Sequence, residues 1–283
     1  MPKNILIPSD FSSTSFNAIE YAFDLFKECE CTFFIYHAYY IIASSRTNPM
    51  FPVPDEYEYN QAHIEIDTKM EAFRKKVLSL SQNEKHTIHF EFEYGFLVEK
   101  VSKKVKKEKI DLIIMGTRGT TQDRDIAYGR NAIDVMEKVR DCPVLAIPKK
   151  VKFKFPGKIV YPTDFKSNVD INEIESFKTI ARISNASIQI FHIGKEENLN
   201  QKQKEGKKQL ENHLASFEYS FHWIENTKLL EGLLVFVKEQ EGTMICFVNR
   251  KHWFFSNIFS NPLIKNLGVD TTVPLMALHG SSS

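Results

Sequence analysis

The first half of the chain alternates short apolar runs with stretches of helical periodicity. Apolar runs at 4–7, 32–37, 86–93, 112–115 and 144–147 predict strands. Between them, the spacing of apolar positions predicts helices over 13–27, 55–81, 97–107 and 131–140. Leu112-Ile113-Ile114-Met115 is apolar throughout, the mark of a strand covered on both faces in a parallel sheet. Strand–helix alternation of this kind predicts an α/β, doubly wound open sheet with right-handed crossovers. Such sheets hold ligands beyond the carboxyl ends of the strands, at the point where the winding reverses. Candidate chemistry is therefore to be sought at the strand ends.

The pattern occurs twice. Ile7-Pro8-Ser9-Asp10-Phe11 reappears as Tyr161-Pro162-Thr163-Asp164-Phe165, and the run 33–37 (FFIYH) as 188–192 (IQIFH). The run 141–147 (DCPVLAI) returns as 272–278 (TVPLMAL). Three matches in one order indicate a tandem duplication. The Lys/Phe/Pro/Gly stretch at 149–157 suits a short linker, which divides the chain into domains at 1–150 and 151–283.

The 283 residues are 42% hydrophobic and 26% charged, enough for two globular domains of ordinary size. A formal net charge of +1 gives no global field for nucleic acid or an acidic membrane. The lysine-rich run at 100–109 reads as a solvated helix face with Val101 and Val105 turned inward. Cys29, Cys31, Cys142 and Cys246 form no CxxC or zinc-ligand pattern and read as reduced structural thiols. The chain opens directly into a strand, without a signal-peptide pattern, and no apolar stretch is long enough to span a bilayer. A cytoplasmic protein is expected.

After the first strand come Pro8, Ser9, Asp10, Phe11, Ser12 and Ser13. Ser12 or Ser13 can cap the following helix. Asp10 can accept hydrogen bonds from a ribose or an adenine amino group, or serve as a turn residue bonding its own backbone; spacing does not separate the two. The fourth strand leads into Met115-Gly116-Thr117-Arg118-Gly119, and nine residues later Gly129-Arg130-Asn131 opens a helix. Glycines permit close backbone approach to a ligand, and a helix start offers unpaired N–H groups to phosphate. The loop is neither a Walker P-loop nor a Rossmann GxGxxG. His37 and His192 end equivalent strands without metal-ligand neighbours in sequence and read as structural. The long connection at 39–59, with Pro49, Pro52 and Pro54, has the length of a functional loop.

Taken together, Pro8-x-Asp10, the G-2x-G-9x-G loop and the Cys142-Pro143-Val144-Leu145 strand resemble the universal stress protein (UspA-like) family, over nearly the whole chain. The resemblance implies two tandem domains of the adenine nucleotide alpha hydrolase-like fold, each with a five-stranded parallel sheet. It implies ATP or a related adenine nucleotide, with Mg²⁺ as an accompaniment to the phosphates. It also implies pairing of the halves through their last strands, 144–147 with 275–278, as an intrachain pseudo-dimer open to further association as a homodimer. By position, Asp10 would face the ribose or adenine end, with Pro8, Ser9 and Ala38 lining the base pocket. Met115 and Gly116 would pack by the nucleoside, and Arg118, Gly119, Gly129, Arg130 and Asn131 would surround the phosphates. One departure is Arg130, where nucleotide-binding members carry Ser or Thr.

The second copy departs further. Asp164 is kept, but the loop counterpart reads Phe247-Val248-Asn249-Arg250-Lys251-His252-Trp253, and Ser260 and Asn261 stand where Gly129 and Arg130 stand. Arg250, Lys251 and His252 read as a solvated basic loop, and Trp253, Phe254 and Phe255 as cover for the sheet end or an interaction surface. The leading expectation is a stress-response module that binds adenine nucleotide in its first domain. An interaction scaffold without nucleotide comes second. A weak ATP hydrolase comes third, since no general base is committed and Asp123 and Asp125 fall in the variable part of the loop.

Overall fold

The computed structural model describes residues 3–41, 54–80, 82–117, 129–166, 171–249 and 273–279. In the first half, β1 (Asn4–Pro8), α1 (Ser13–Leu25), β2 (Cys31–Tyr39), α2 (Glu56–Leu78) and β3 (His86–Tyr94) are followed by α3 (Leu97–Lys107), β4 (Leu112–Gly116), α4 (Arg130–Lys138) and β5 (Val144–Ile147). The second half runs β6 (Lys158–Pro162), α5 (Ile171–Ser184), β7 (Ser187–Ile193), α6 (Gln201–Leu214), β8 (Tyr219–Ile224), α7 (Leu229–Glu239), β9 (Met244–Asn249) and β10 (Leu275–His279). Helix starts follow local chemistry. Ser12 caps α1 by accepting from the Ser15 N–H, and Asp55 and Glu58 form a reciprocal capping box on α2.

The ten described strands join one sheet, ordered β3-β2-β1-β4-β5-β10-β9-β6-β7-β8. Pairing is parallel within each half. The seam between β5 and β10 is antiparallel, with Leu145 opposite Met276. Register brings the repeated sequence segments to equivalent places in the sheet. Pro8 lies opposite Tyr36 and Pro162 opposite Phe191, so Ala38 corresponds to Ile193. Ile5 lies opposite Leu112 and Ile159 opposite Met244, so Met115 and Gly116 correspond to Phe247 and Val248. Leu145 and Met276 are themselves equivalent, so a pseudo-twofold axis passes between them, the geometry of an isologous dimer interface inside one chain.

Each sheet face buries an apolar layer. On one lie Ile19 and Ala22 of α1, Phe73 and Val77 of α2, Phe177 of α5 and Leu210 and Leu214 of α6. On the other lie Val101 and Val105 of α3, Val135 and Met136 of α4, and Leu233 and Phe236 of α7. Val101 and Val105 thus point inward as the α3 pattern requires. Lys104 does not follow that pattern: it is 3% exposed, paired with Glu91 and, at 3.3 Å, with Glu108. Its ammonium lies 5.1 Å from the Phe34 ring centre. The four cysteines are buried, and burial pushes the Cys31 thiol up to about 12, which keeps it protonated.

At the seam, both ring nitrogens of His279 are buried with no hydrogen-bond partner among the described residues. Burial, helped by the charge of Arg140 and opposed by Asp141, lowers its pKa from 6.5 to about 4. A group depressed in this way binds fewer protons folded than unfolded between those values. Its contribution is complete above pH 6.5 and is lost as pH falls toward 4, by about 3 kcal/mol at most. Urea unfolding at pH 5 and pH 7 should therefore show a smaller acid loss in His279→Phe than in the wild type. An identical loss in both would remove His279 as the source.

Candidate functional site

The carboxyl ends of β1, β2 and β4 meet at the switch point, where β1 leads outward to β2 and β3 on one side and β4 and β5 lie on the other. A cavity of about 320 Å³ opens there. Its walls include Pro8, Ser9, Asp10, Ala38, Met115, Gly116, Gly129, Arg130 and Asn131, all singled out by sequence. Arg118 and Gly119 lie outside the described residues, as do Asp123, Asp125 and the 250–261 segment. Ser15, Leu97, Thr117 and Ala132 also line the cavity and were not anticipated. They stand on first turns of α1, α3 and α4 or one residue past β4, and only the crossing of these elements brings them together. A larger open hollow of about 650 Å³ lies at the amino ends of β2 and β3, between the carboxyl ends of α1 and α2. Lys85 and Glu28 pair there at 2.8 Å, and the described helices that border it do so by their carboxyl ends.

The turn after β1 is fixed by its own side chains. The Ser9 N–H donates to the Tyr36 carbonyl (2.8 Å), and Ser9 Oγ accepts from the Phe11 N–H (3.1 Å) and bonds Ser15 Oγ (2.9 Å). Phe11 is held at φ 64°, a left-handed conformation uncommon for a bulky residue, and Phe165 repeats it at 57°. Asp10 Oδ1 accepts from the Ser12 N–H at 3.2 Å, and Asp164 Oδ1 does the same for Lys166 at 3.0 Å. The turn role of Asp10 is therefore realised, and the same carboxylate lines the cavity.

His37 Nδ1 donates to the Ser9 carbonyl at 2.7 Å, and His192 Nδ1 to that of Thr163 at 2.8 Å. Burial holds His37 below the usual imidazole range, so it is neutral and the carbonyl fixes its tautomer. The imidazole ties the end of β2 to the Asp10 turn. This is the structural role expected of both histidines.

Ladder alternation directs the backbone at the end of β2. The Tyr36 carbonyl accepts from Ser9 on the β1 side, whereas the Tyr39 carbonyl accepts from Gly95 on the β3 side at 2.8 Å. Ala38, two residues beyond Tyr36, turns its N–H and C=O to the β1 side, where β1 has already ended at Pro8. An amide donor and a carbonyl acceptor thus face the cavity side by side. Ala38, Leu97, Met115 and Ala132 supply apolar wall next to them.

On the far side of the cavity α4 begins. Gly129 is its N-cap, without a side-chain cap bond; its N–H donates to the Thr117 carbonyl at 2.6 Å. The first turn of α4 holds no acidic residue, so its amides and dipole present positive potential, and the exposed Arg130 adds a full charge. Gly116 has a different necessity. A Cβ there would lie 2.8 Å from Thr14 Cγ2 and 3.0 Å from the Thr14 carbonyl, so the glycine lets α1 approach β4. Close packing of the helix, and not only close approach of a ligand, accounts for it.

The second half carries larger side chains at the equivalent described positions. Ile193 replaces Ala38, with its Cδ1 3.3 Å from the Cβ position of Gly232. Phe247 replaces Met115 and is completely buried, and Val248, in place of Gly116, packs against the core.

The sequence matches the universal stress protein family over residues 1–148. A universal stress protein of Methanocaldococcus jannaschii is 29% identical over 150 residues, which span 53% of this chain and 84% of that protein. The crystal structure of a universal stress protein from Archaeoglobus fulgidus aligns over 98% of both chains, with a TM-score of 0.72 and 16% identity. That of a protein of unknown function from Pseudomonas aeruginosa aligns over 98% of this chain and 92% of its own, with a TM-score of 0.55 and 12% identity. The two structural likenesses extend the shared fold over the whole chain.

Proposed function

The chain belongs to the universal stress protein family, and we propose that its first domain holds ATP or a related adenine nucleotide while the second serves as a fixed pseudo-dimer partner. The observation that carries the reading is the paired N–H and C=O of Ala38, facing the same cavity as the start of α4. Adenine presents an acceptor beside an amino donor on its Watson–Crick edge, matching an amide and a carbonyl in that order. Guanine presents the reverse. With the base against β2, the ribose falls at Asp10 and the phosphates at Gly129, Arg130 and Asn131, following the strand order across the sheet.

Arg130 takes the place of a hydroxyl whose bond to phosphate is worth about 1.5–3 kcal/mol. A guanidinium returns that by a charge-assisted, bidentate contact. Asp10 is the one carboxylate among the described lining residues, and its Oδ1 is engaged by the turn. No described helix is long and apolar enough to cross a membrane. We place the protein in the cytoplasm on its buried cysteines, which form no CxxC or zinc-ligand pattern. The alternative is a scaffold that has lost nucleotide binding, and the specific observation in its favour is Arg130 itself.

Denaturing freshly purified protein and identifying released nucleotide by mass spectrometry should give an adenine nucleotide at about one per chain. On emptied protein, calorimetry should show that Asp10→Ala weakens binding by about tenfold, the worth of a hydrogen bond to a charged group. Arg130→Ser should weaken it too. Stronger binding by Arg130→Ser would mark the arginine as a plug, and no nucleotide with no heat of binding would leave the scaffold reading in place.

A further inference from the structure

We propose that the aromatic rim beside the ends of β2 and β3 docks an arginine-bearing segment of a partner protein. The rim is a chain of ring contacts: Tyr59 meets Tyr94 edge-on at 5.6 Å, Tyr94 stacks on Tyr40 at 5.6 Å and 15°, and Tyr40 on Phe96 at 4.5 Å and 18°. These rings are not core. Tyr40 is 49% exposed, Tyr59 39% and Phe96 61%. A contiguous apolar surface left open on a domain with well-filled layers elsewhere marks an interaction face.

The charge around it selects the partner. Asp55, Glu56 and Glu58 precede Tyr59 within one helical turn, and the Tyr59 N–H donates to the Asp55 carbonyl at 2.9 Å. Glu99 lies in the first turn of α3, for which Phe96 is the N-cap residue. The nearby Lys100 is paired with Glu93 at 3.2 Å. The rim is thus acidic on a chain whose net charge is +1. Carboxylates in first turns complement the helix dipoles, but that does not account for the open rings. Stacked aromatic faces bordered by carboxylates suit a guanidinium, which lies flat on Tyr or Phe and forks to carboxylate; an ammonium does neither as well. Nucleic acid would be repelled. A second copy docked isologously would set one acidic rim against another.

The inference is independent of nucleotide binding and is testable on the full chain without nucleotide. Fluorescence anisotropy with a short labelled peptide alternating arginine and leucine, and with its lysine counterpart, reads the docking directly. The arginine peptide should bind at least about tenfold more tightly than the lysine one. Phe96→Ser and Tyr40→Ser together should lower its affinity by about tenfold or more with an unchanged melting temperature. Glu99→Gln, which leaves the rings intact, should reduce the salt dependence of binding. Equal affinity for the two peptides, or unchanged binding by the ring variants, would overturn the proposal. So would a wild-type dimer in sedimentation velocity that Phe96→Ser converts to monomer, since the occupant would then be a second copy.

Discussion

Replacing Ala38 by Ile should abolish adenine nucleotide binding in the first domain, by about a hundredfold or more, while the chain stays folded. The second half carries the same exchange. Ile193 occupies the position equivalent to Ala38 on an equivalent strand, opposite Ile224 in the ladder and packed against the apolar layer. A β-branched residue is therefore compatible with the strand end. A nucleotide is not compatible with the side chain. The base must sit against the Ala38 backbone to use its N–H and C=O, and that backbone is held by its pairing with β3 and cannot retreat. Losing two hydrogen bonds at about 1 kcal/mol each, with overpacking of about 1–3 kcal/mol, sums to about 3–5 kcal/mol. At about 1.4 kcal/mol per decade, this exceeds two orders of magnitude. Met115→Phe, which imports Phe247, should complete the closure. Calorimetry with ATP reads the loss, and thermal unfolding checks the fold. If Ala38→Ile binds as the wild type does, the base does not lie along β2 and the proposed orientation is wrong.

Strands and helices of the first half were legible because each announces itself within a few residues. The apolar run of β4 and the Ser12 cap need no knowledge of the rest of the chain. The repeated Asp10 and Asp164 turns were legible for the same reason, and their shared left-handed phenylalanines show how local the instruction is. Burial of Lys104 could not be read in this way. It stands among lysines of identical chemistry, and its partner Glu91 is on a strand that only the fold brings near. Leu97, Ala132 and Ser15 join the site through helix crossings, which periodicity does not encode. The reason for Gly116 was half legible: close approach was evident, but that α1 makes the approach was not.

The same sheet face shows why the halves had to diverge in groups of residues. Phe34, Glu91 and Lys104 of the first half correspond by register and helix position to Gln189, His222 and Phe236 of the second. An ion pair under a helix has been exchanged for a neutral contact, His222 Nε2 to Gln189 Oε1 at 2.8 Å, beneath the Phe236 ring at 4.8 Å. Changing Lys104 alone would take the shared cation from between Glu91 and Glu108, and changing Glu91 alone would leave the buried ammonium to Glu108 at 3.3 Å. The three positions differ together between the halves, while the register that relates them is kept.

Gly206→Ala should destabilise the second half by about 2 kcal/mol, against the direction that helix propensity gives. Gly206 lies inside α6, where alanine would ordinarily stabilise by about 1 kcal/mol. A Cβ at this position would stand 2.2 Å from the Phe165 carbonyl oxygen and 3.1 Å from its carbon. The obstacle is backbone, and it is pinned. The Phe165 N–H donates to Thr163 Oγ1 at 3.1 Å, its ring stacks on His192 at 4.9 Å, and Gln203 Nε2 donates to the adjoining Asp164 carbonyl at 2.9 Å. The helix has to withdraw instead, loosening Leu210 and Leu214 from the apolar layer. Overpacking of this kind costs about 1–3 kcal/mol or more, so the clash outweighs the propensity gain. A drop in melting temperature of about 4–8 °C is expected. Gly157→Ala is the control, because a Cβ there meets nothing within 4 Å, and it should be neutral or slightly stabilising. If Gly206→Ala instead raised the melting temperature, α6 could not lie against the Asp164 turn.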